Sequence, residues 1–339
     1  MTEAQVNSTC QRTGVERARC LMSVSSRVLR AVVVAVLGAM CMTLGFASPG
    51  VALPVSKPAL TPTPGYWLVG TDGGVFSFNA PFFGSSASQC ANANGSIGTI
   101  FCATAIASTP DGGGYTIVTP FGFGGPEAIA PQFGDATGNQ MCASHFNASG
   151  GPQNPQLIGF PWFGVASTPS GHGFWLLGAF GDVATCGDAL YFGAPGASGS
   201  VSIAEAIGIV ATPDGNGYWV AASDGGVFAY GDAGFYGSMG GKSLNAPVVG
   251  IAATADGKGY WLVASDGGIF AFGDAKFYGS MGGQPLNASM VGIAANPVGP
   301  GYWTVASDGG VFSFGGAPFE GSMGGQSLDA PIVGVTSRG

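Results

Sequence analysis

The stretch GYWLVASDGGIFAFGD at residues 259–274 decides the fold, because it recurs almost unchanged along the chain. Close copies begin at Gly217 and Gly301, so the three starts are 42 residues apart. Weaker copies begin at residues 65, 114 and 173, which makes six repeats within residues 65–339. Self-similarity at a fixed period of about 40 residues indicates an architecture built by copying one supersecondary unit.

Each repeat contains four strand-sized segments separated by Asp-Gly and Gly-Asp turns. In the fifth repeat these segments are Val248–Ala253, 260–264, 268–272 and 276–280. Four short strands in a unit of this length are typical of a β-propeller blade. The composition agrees, since 11% of residues are aromatic, 8% are charged and 62 are glycine, which suits strands joined by tight turns. The sequence therefore predicts an all-β fold.

The two ends of the repeat region complement each other. The first repeat begins at Gly65 with its second strand, since only the short stretch 61–64 lies between it and the preceding residues. The sequence PIVGVT at 331–336 matches PVVGIA at 247–252, which is a first strand. A C-terminal strand that completes the N-terminal blade removes an exposed sheet edge. We therefore predict a six-bladed β-propeller of four-stranded blades, closed by this strand.

The distribution of charge excludes a nucleic-acid surface. The formal net charge is −8, and five of the ten basic residues precede residue 31. The remaining cations are dispersed along the chain: Lys57, Lys242, Lys258, Lys276 and Arg338. A phosphate-binding surface needs clustered Lys and Arg, and the sequence has no such cluster.

The N-terminal residues 1–52 have the pattern of a signal peptide. Arg27 and Arg30 precede an apolar h-region at 31–47, and small residues follow it. Cleavage would leave a Pro-rich linker at 53–64 and the repeat domain at 65–339. The alternative is an uncleaved anchor, because an apolar run of this length is at the lower limit for a membrane span. We expect a secreted or cell-surface protein without membrane association after cleavage.

The phrase at residues 259–274 resembles repeats found in many secreted bacterial proteins. It also resembles the propeller repeats of the regulator-of-chromosome-condensation and tectonin families, in which a DG-[VI]-[YF]-x-[WF]-G-[DN] run connects two strands. The resemblance covers residues 65–339 and implies a propeller, and those families include lectins, exchange factors and scaffolds. This chain lacks basic patches and has an export signal, so the nuclear and exchange-factor roles of some members do not carry over.

Three insertions relative to the 42-residue pattern fall in repeats 1 to 3, at residues 90–99, 121–131 and 137–161. In an antiparallel blade, the turn after the second strand and the link to the next blade emerge on the same face. All three insertions should therefore lie on one face. Long loops on a rigid scaffold are common binding elements, although exposed turns also tolerate neutral insertion.

The loop-bearing face contains the candidate ligand-binding residues. Aromatic rings would stack on sugars or on an apolar partner, and Glu127 and His145 would supply hydrogen bonds. The aromatic candidates are Phe121, Phe123, Phe160, Trp162 and Phe180. The alternative is that these rings pack their own loops. The turn aspartates of the same face are expected to shape their own turns rather than to bind; they are Asp72, Asp224, Asp266 and Asp308.

The sequence favours binding over catalysis. It has no His-rich metal spacing, no Gly-x-Ser-x-Gly elbow and no phosphate loop. The predicted function is a secreted, monomeric, non-catalytic binding module or scaffold that recognises cell-envelope polysaccharide or a protein partner through the long-loop face of repeats 1 to 3. The alternative is an extracellular polysaccharide hydrolase or lyase on the same scaffold. No cofactor or metal site is expected, with calcium on the turn aspartates as the alternative.

Four cysteines follow the signal region, and an exported chain favours disulfides. Cys90 and Cys102 flank the insertion that enters the second repeat, so we predict that they form a disulfide. Cys186 replaces an aromatic residue of the repeat, so a buried free thiol is one alternative for it, and its pairing with Cys142 stays open.

Overall fold

The computed structural model describes residues 64–87, 102–119, 130–136, 142–144, 162–195 and 205–338, all within the compact unit Leu60–Gly339. The predicted signal peptide and nearly all of the linker lie outside the described residues. So do the three long insertions, except for residues 130–131 and 142–144. Among the residues described, no helix is long and apolar enough to cross a membrane.

The described residues form nineteen strands. The strands are β1 (Tyr66–Gly70), β2 (Val75–Phe78), β3 (Ala105–Ser108), β4 (Gly114–Val118), β5 (Gln132–Gly134), β6 (Cys142–Ser144), β7 (Trp162–Ser167), β8 (Gly173–Gly178), β9 (Val183–Gly187), β10 (Ala206–Ala211), β11 (Gly217–Ala222), β12 (Val227–Gly231), β13 (Val248–Ala253), β14 (Gly259–Ala264), β15 (Ile269–Gly273), β16 (Met290–Ala295), β17 (Gly301–Ala306), β18 (Val311–Gly315) and β19 (Ile332–Ser337). The all-β class predicted from composition is confirmed.

These strands form six antiparallel sheets, which we number by repeat. Sheet 1 is β19-β1-β2, sheet 2 is β3-β4-β5, and sheet 3 is β6-β9-β8-β7. Sheets 4, 5 and 6 are β10-β11-β12, β13-β14-β15 and β16-β17-β18. Five sheets therefore have three strands, and sheet 3 has four. The pairing of β19 with β1 places Tyr66 opposite Ser337, so the final strand completes the first sheet as the sequence predicts.

The middle strand of each sheet is buried on both of its faces. In β14 the neighbours Tyr260 and Trp261 are 0% and 5% exposed although successive side chains of a strand point in opposite directions. Trp261 packs against Tyr302 of sheet 6, with ring centroids 5.4 Å apart. The Tyr-Trp pair of sheets 1, 4, 5 and 6 is therefore core, and its rings pack against the neighbouring sheets.

The segment after the third strand, which we call the outer segment, is not a strand in any of the five repeats where it is described; these segments span 81–84, 190–193, 234–237, 276–279 and 318–321. This corrects the prediction of a fourth strand in every blade. In the fifth repeat, Trp261 Nε1 donates a hydrogen bond to the carbonyl of Lys276 (2.8 Å). The Tyr302 hydroxyl accepts from the Tyr278 N–H (3.2 Å) and donates to the Gly279 carbonyl (2.6 Å). Side chains thus satisfy backbone groups that a ladder would otherwise pair.

We call this hydroxyl, bonded to an N–H and a carbonyl of the preceding outer segment, a tyrosine latch. The latches are formed by Tyr66, Tyr115, Tyr218, Tyr260 and Tyr302. Gly279 is required at its contact, because its φ is +131° and an added Cβ would lie 2.8 Å from the Phe314 ring. Burial raises the pKa of Tyr302 above its ordinary value, so its hydroxyl remains a donor at neutral pH.

The junction between sheets 2 and 3 is built differently. Phe174 stands at the latch position of sheet 3, and Thr116 replaces the tryptophan of sheet 2. Here β6, from the link that leaves sheet 2, pairs with the outer strand β9 of sheet 3. Cys142 lies opposite Cys186 in this pairing and forms a disulfide with it. Phe174 has no hydroxyl group, so a tyrosine latch cannot form at this junction. The β6–β9 pairing and the Cys142–Cys186 disulfide connect the two repeats instead.

This disulfide answers the pairing that the sequence leaves open and excludes the free-thiol alternative for Cys186. The aligned position in other repeats faces a glycine of the preceding outer segment, whereas the lengthened link brings Cys142 to that place. Cys102 is also disulfide-bonded. Its predicted partner, Cys90, lies outside the described residues, so their pairing stays a prediction.

Candidate functional site: the loop-bearing face of sheet 3

The turns on the loop-bearing face are mostly structural. Asp72 Oδ1 accepts the N–H of Gly74 at 2.9 Å, which closes an Asx turn. The turns of sheets 4, 5 and 6 repeat this bond, with Asp224, Asp266 and Asp308 as acceptors. The expectation that each aspartate shapes its own turn is therefore confirmed, and each uses one carboxylate oxygen in doing so.

The equivalent turn of sheet 3 breaks this pattern. Phe180 stands where Asp224 stands in sheet 4, and Asp182 stands where Gly226 does. The backbone turn is kept, because the Gly178 N–H still donates to the carbonyl of residue 182 at 2.9 Å. The Phe180 ring is 66% exposed, whereas Asp182 is only 6% exposed. This turn therefore presents an apolar ring to solvent and holds a carboxyl group beneath it.

The carboxyl of Asp182 has an unusual acidity. Burial raises its pKa from 3.8 to about 6, and its own backbone N–H offsets this effect only in part. The pKa of the Tyr191 phenol is also raised, mainly by burial and to a smaller extent by the negative charge of Asp182. A carboxyl with a pKa near 6 exchanges its proton in mildly acidic conditions, so it can accept a hydrogen bond in one state and donate one in the other.

Trp162 lies near the same turn but inside the core. It is 1% exposed and packs in a cluster with Phe174, Cys142 and Cys186. The expectation that Trp162 stacks on a ligand is therefore not supported: its position at the start of an inner strand places the indole between sheets. Among the described residues, its Nε1 has no hydrogen-bond partner.

Five other candidates lie outside the described residues: Phe121, Phe123, Glu127, His145 and Phe160. Of the seven, the structure thus places Phe180 on the surface and Trp162 in the core, and their roles in binding stay predictions. Sequence reasoning missed Asp182. The available signal was its displacement by two positions from the aspartate of the other turns, into a position that is glycine in sheets 1, 4, 5 and 6.

The opposite face has carboxylate pairs that bear on the enzyme alternative. The Thr109 hydroxyl, which has one proton to donate, lies within hydrogen-bond distance of both Asp111 (2.9 Å) and Asp135 (3.2 Å). The Gly113 N–H lowers the pKa of Asp111, whereas burial raises that of Asp135. Equivalent pairs recur at residues 214 and 232 and at 256 and 274, so we interpret them as a repeated turn structure. Within the described ranges, no group of three His, Cys, Asp or Glu residues is arranged to hold a metal.

Comparison with known proteins supports the fold and leaves the family open. No protein-family model matches the chain, and no curated protein sequence matches it. Among solved structures, the crystal structure of a nidogen/laminin complex is similar, with a TM-score of 0.50 and 11% sequence identity. The similarity covers 81% of this chain and 98% of the other. The chain therefore shares an all-β, propeller-like fold with that structure.

Proposed function

We propose that this protein is a secreted or surface-attached binding module built on a closed six-bladed propeller. It recognises an extracellular polysaccharide or a protein partner through the loop-bearing face of repeats 1 to 3. The observation that supports this proposal most directly is the turn of sheet 3. This turn exposes the Phe180 ring and buries the Asp182 carboxyl. In the other described turns of this face, the aspartate instead closes the turn with a hydrogen bond to the backbone.

Ring closure is supported by contacts between sheets that are distant in sequence. The inner strands contact one another in the order β3, β7, β10, β13, β16, β19 and back to β3. Trp303 of sheet 6 packs on Tyr66 of sheet 1 at 5.3 Å, as Trp261 packs on Tyr302 at 5.4 Å. The first and last repeats therefore meet through the same contact as consecutive repeats do.

Export is supported by the three disulfide-bonded cysteines, Cys102, Cys142 and Cys186, together with the signal-peptide pattern. The Cys142–Cys186 bond suits an oxidising compartment. A protein partner is the second candidate ligand. One similar solved structure is a complex of nidogen with laminin, which is consistent with a propeller surface that binds another protein.

The hydrolase alternative needs a second titratable group that converges with Asp182. In the described part of the chain, the ionisable group that responds to Asp182 is the Tyr191 phenol, and a glycosidase of the usual type needs a second carboxyl. We therefore favour binding. Incubating the purified protein with each polysaccharide and measuring released reducing ends tests the alternative, and sustained release that Asp182→Asn abolishes would establish it.

The test of binding is retention of the purified full chain on immobilised cell-wall polysaccharides and on extracellular protein extracts. Phe180→Ala should reduce retention at least tenfold, because it removes the exposed ring of the turn. Leu190→Ala is the matched control, since Leu190 is 62% exposed on the same sheet outside the turn. Equal retention of wild type and Phe180→Ala would refute the assignment of this turn.

A further inference from the structure

A cavity opens on the loop-bearing face of sheet 6, well away from sheet 3 in the order of the repeats. Its volume is about 290 Å³, and it lies between the link 285–288 and the third strand and outer segment of sheet 6. Phe312 and Phe319 form aromatic walls, with Leu286 beside them. The described residues that line it include one carboxylate and no cation.

The polar groups of this cavity are placed among the apolar walls. One carboxylate oxygen of Asp308 accepts a hydrogen bond from the Gly310 N–H at 2.9 Å. The second oxygen can accept a hydrogen bond from another donor. Asn287 adds an amide. The Ser322 hydroxyl donates to the Gly309 carbonyl and accepts from the N–H groups of Val311 and Gly324, so it shapes the wall of the cavity rather than offering a free polar group. The cavity thus combines aromatic surface with acceptors and donors at its rim, which is the usual character of a small-molecule site.

Phe319 is not explained by packing. Its ring is 60% exposed, whereas the residue after it supplies a backbone N–H to the Tyr66 latch and is held in place. A phenylalanine exposed to this extent contributes little to the core and adds apolar surface to the protein. The same position is occupied by Phe82, Phe235 and Phe277, which are 60%, 62% and 59% exposed.

The rest of the groove recurs with these rings. Sheet 5 has Leu244, Asn245, Asp266, Phe270 and Phe277 at the positions of Leu286, Asn287, Asp308, Phe312 and Phe319. Sheet 1 has Leu328, Asp329, Asp72, Phe76 and Phe82 at those positions. We call the cavity of sheet 6 and the equivalent sets of residues in sheets 5 and 1 the repeat grooves. Sheet 4 keeps Asp224, Phe228 and Phe235, and the link that would line its groove falls outside the described residues.

A regular series of similar grooves, in which sheet 1 has Asp329 in place of the asparagine, fits a ligand that is itself periodic. A pyranose ring has an apolar C–H face that packs on an aromatic ring, whose face carries partial negative charge. Its hydroxyl groups donate and accept at the edge, which matches the carboxylate and amide of the groove. An anionic polymer is disfavoured, because each groove contains a carboxylate and the chain carries a net charge of −8.

We propose that the repeat grooves of sheets 5, 6 and 1 are an array of equivalent subsites for a neutral polysaccharide. This inference rests on the proposed function for the class of ligand, but it assigns that ligand to a different surface from the turn of sheet 3. Each groove binds a short stretch of the polymer weakly. One chain that occupies neighbouring grooves is retained far more strongly, because later contacts are intramolecular.

The test is affinity electrophoresis of the full chain through gels that contain a neutral glucan, mannan or galactan. The variant series is Phe319→Ala, then Phe277→Ala with Phe319→Ala, then both with Phe82→Ala. Each step should weaken retention, and the triple variant should lose about a hundredfold in affinity if the subsites act together. Leu190→Ala is the matched control, because it removes an exposed apolar side chain outside the grooves. Thermal melting checks that every variant is folded.

The outcomes separate this inference from the proposed function. Retention that falls along the series but not in Leu190→Ala or Phe180→Ala supports the repeat grooves. Retention lost in Phe180→Ala and unchanged in the triple variant overturns the grooves and leaves the proposed function standing. Capture of a protein by wild type, lost in Phe180→Ala, with no retention by any neutral polymer, also overturns the grooves. If the wild-type protein retains no polysaccharide and no protein, both the repeat grooves and the proposed function are overturned.

Discussion

Replacement of Tyr302 by phenylalanine tests the tyrosine latch, which joins neighbouring repeats without a backbone ladder. The substitution keeps the buried ring and removes only the hydroxyl. That hydroxyl donates to the Gly279 carbonyl at 2.6 Å and accepts from the Tyr278 N–H at 3.2 Å. Two backbone groups at a partly buried site thus lose their partner. With a net cost near 1 kcal/mol for each hydrogen bond, the free energy of unfolding should fall by about 2 kcal/mol.

Thermal unfolding measures this loss. For a domain of this size, each kcal/mol lowers the midpoint by about 2 °C, so Tyr302→Phe should melt about 4 °C below wild type. Tyr278→Phe is the matched control, because that hydroxyl has no hydrogen-bond partner among the described residues and its loss should change the midpoint little. A shift below about 1 °C for Tyr302→Phe, or equal shifts for both variants, would refute the stabilising role of the latch.

Two further changes probe sheet 3. Replacing Cys142 and Cys186 together by alanine removes a disulfide that spans 44 residues, so the free energy of unfolding should fall by about 2–4 kcal/mol in urea titrations; an unchanged midpoint would contradict this. Asp182 has a folded pKa of about 6, above its ordinary value of 3.8, so the folded state loses stability as pH rises from about 4 to 6. Asp182→Asn should therefore gain up to about 2 kcal/mol over wild type at pH 7 and little at pH 4, and an equal difference at both pH values would show that burial does not perturb this carboxyl.

The repeats made most of the fold predictable. The period, the alternation of buried residues and the match between residues 331–336 and 247–252 predict the strands and the β19–β1 pairing, because these depend on local pattern. The fourth strand was not predictable in the same way. The outer segment 276–280 has the composition of a strand, but its backbone partners are the side chains of Trp261 and Tyr302, which a strand pattern does not reveal.

The candidate site was less predictable than the fold. Trp162 looks like a loop aromatic in sequence, but it begins the inner strand β7 and is buried there. The pairing of Cys142 with Cys186 depends on where a long link returns to the sheet, and spacing alone does not fix this. Asp182 acquires its raised pKa from burial beneath an exposed turn, which is a property of three-dimensional packing. Phe180 was found because its exposure follows directly from its place in a tight turn.

The pairing of β1 with β19 has a consequence for how the chain reaches its native state. Tyr66 bonds to Gly321 across 255 residues of sequence, so this contact is among the most non-local that the chain makes. Closing a loop of that length lowers the conformational entropy of the chain before the stabilising contacts form. Topologies that are rich in such non-local contacts therefore fold slowly. During synthesis, β1 keeps an unpaired edge until the last repeat has emerged. A folding chain therefore spends its slowest phase with its first sheet incomplete, when that edge is open to chaperones, proteases and other copies of the same sequence.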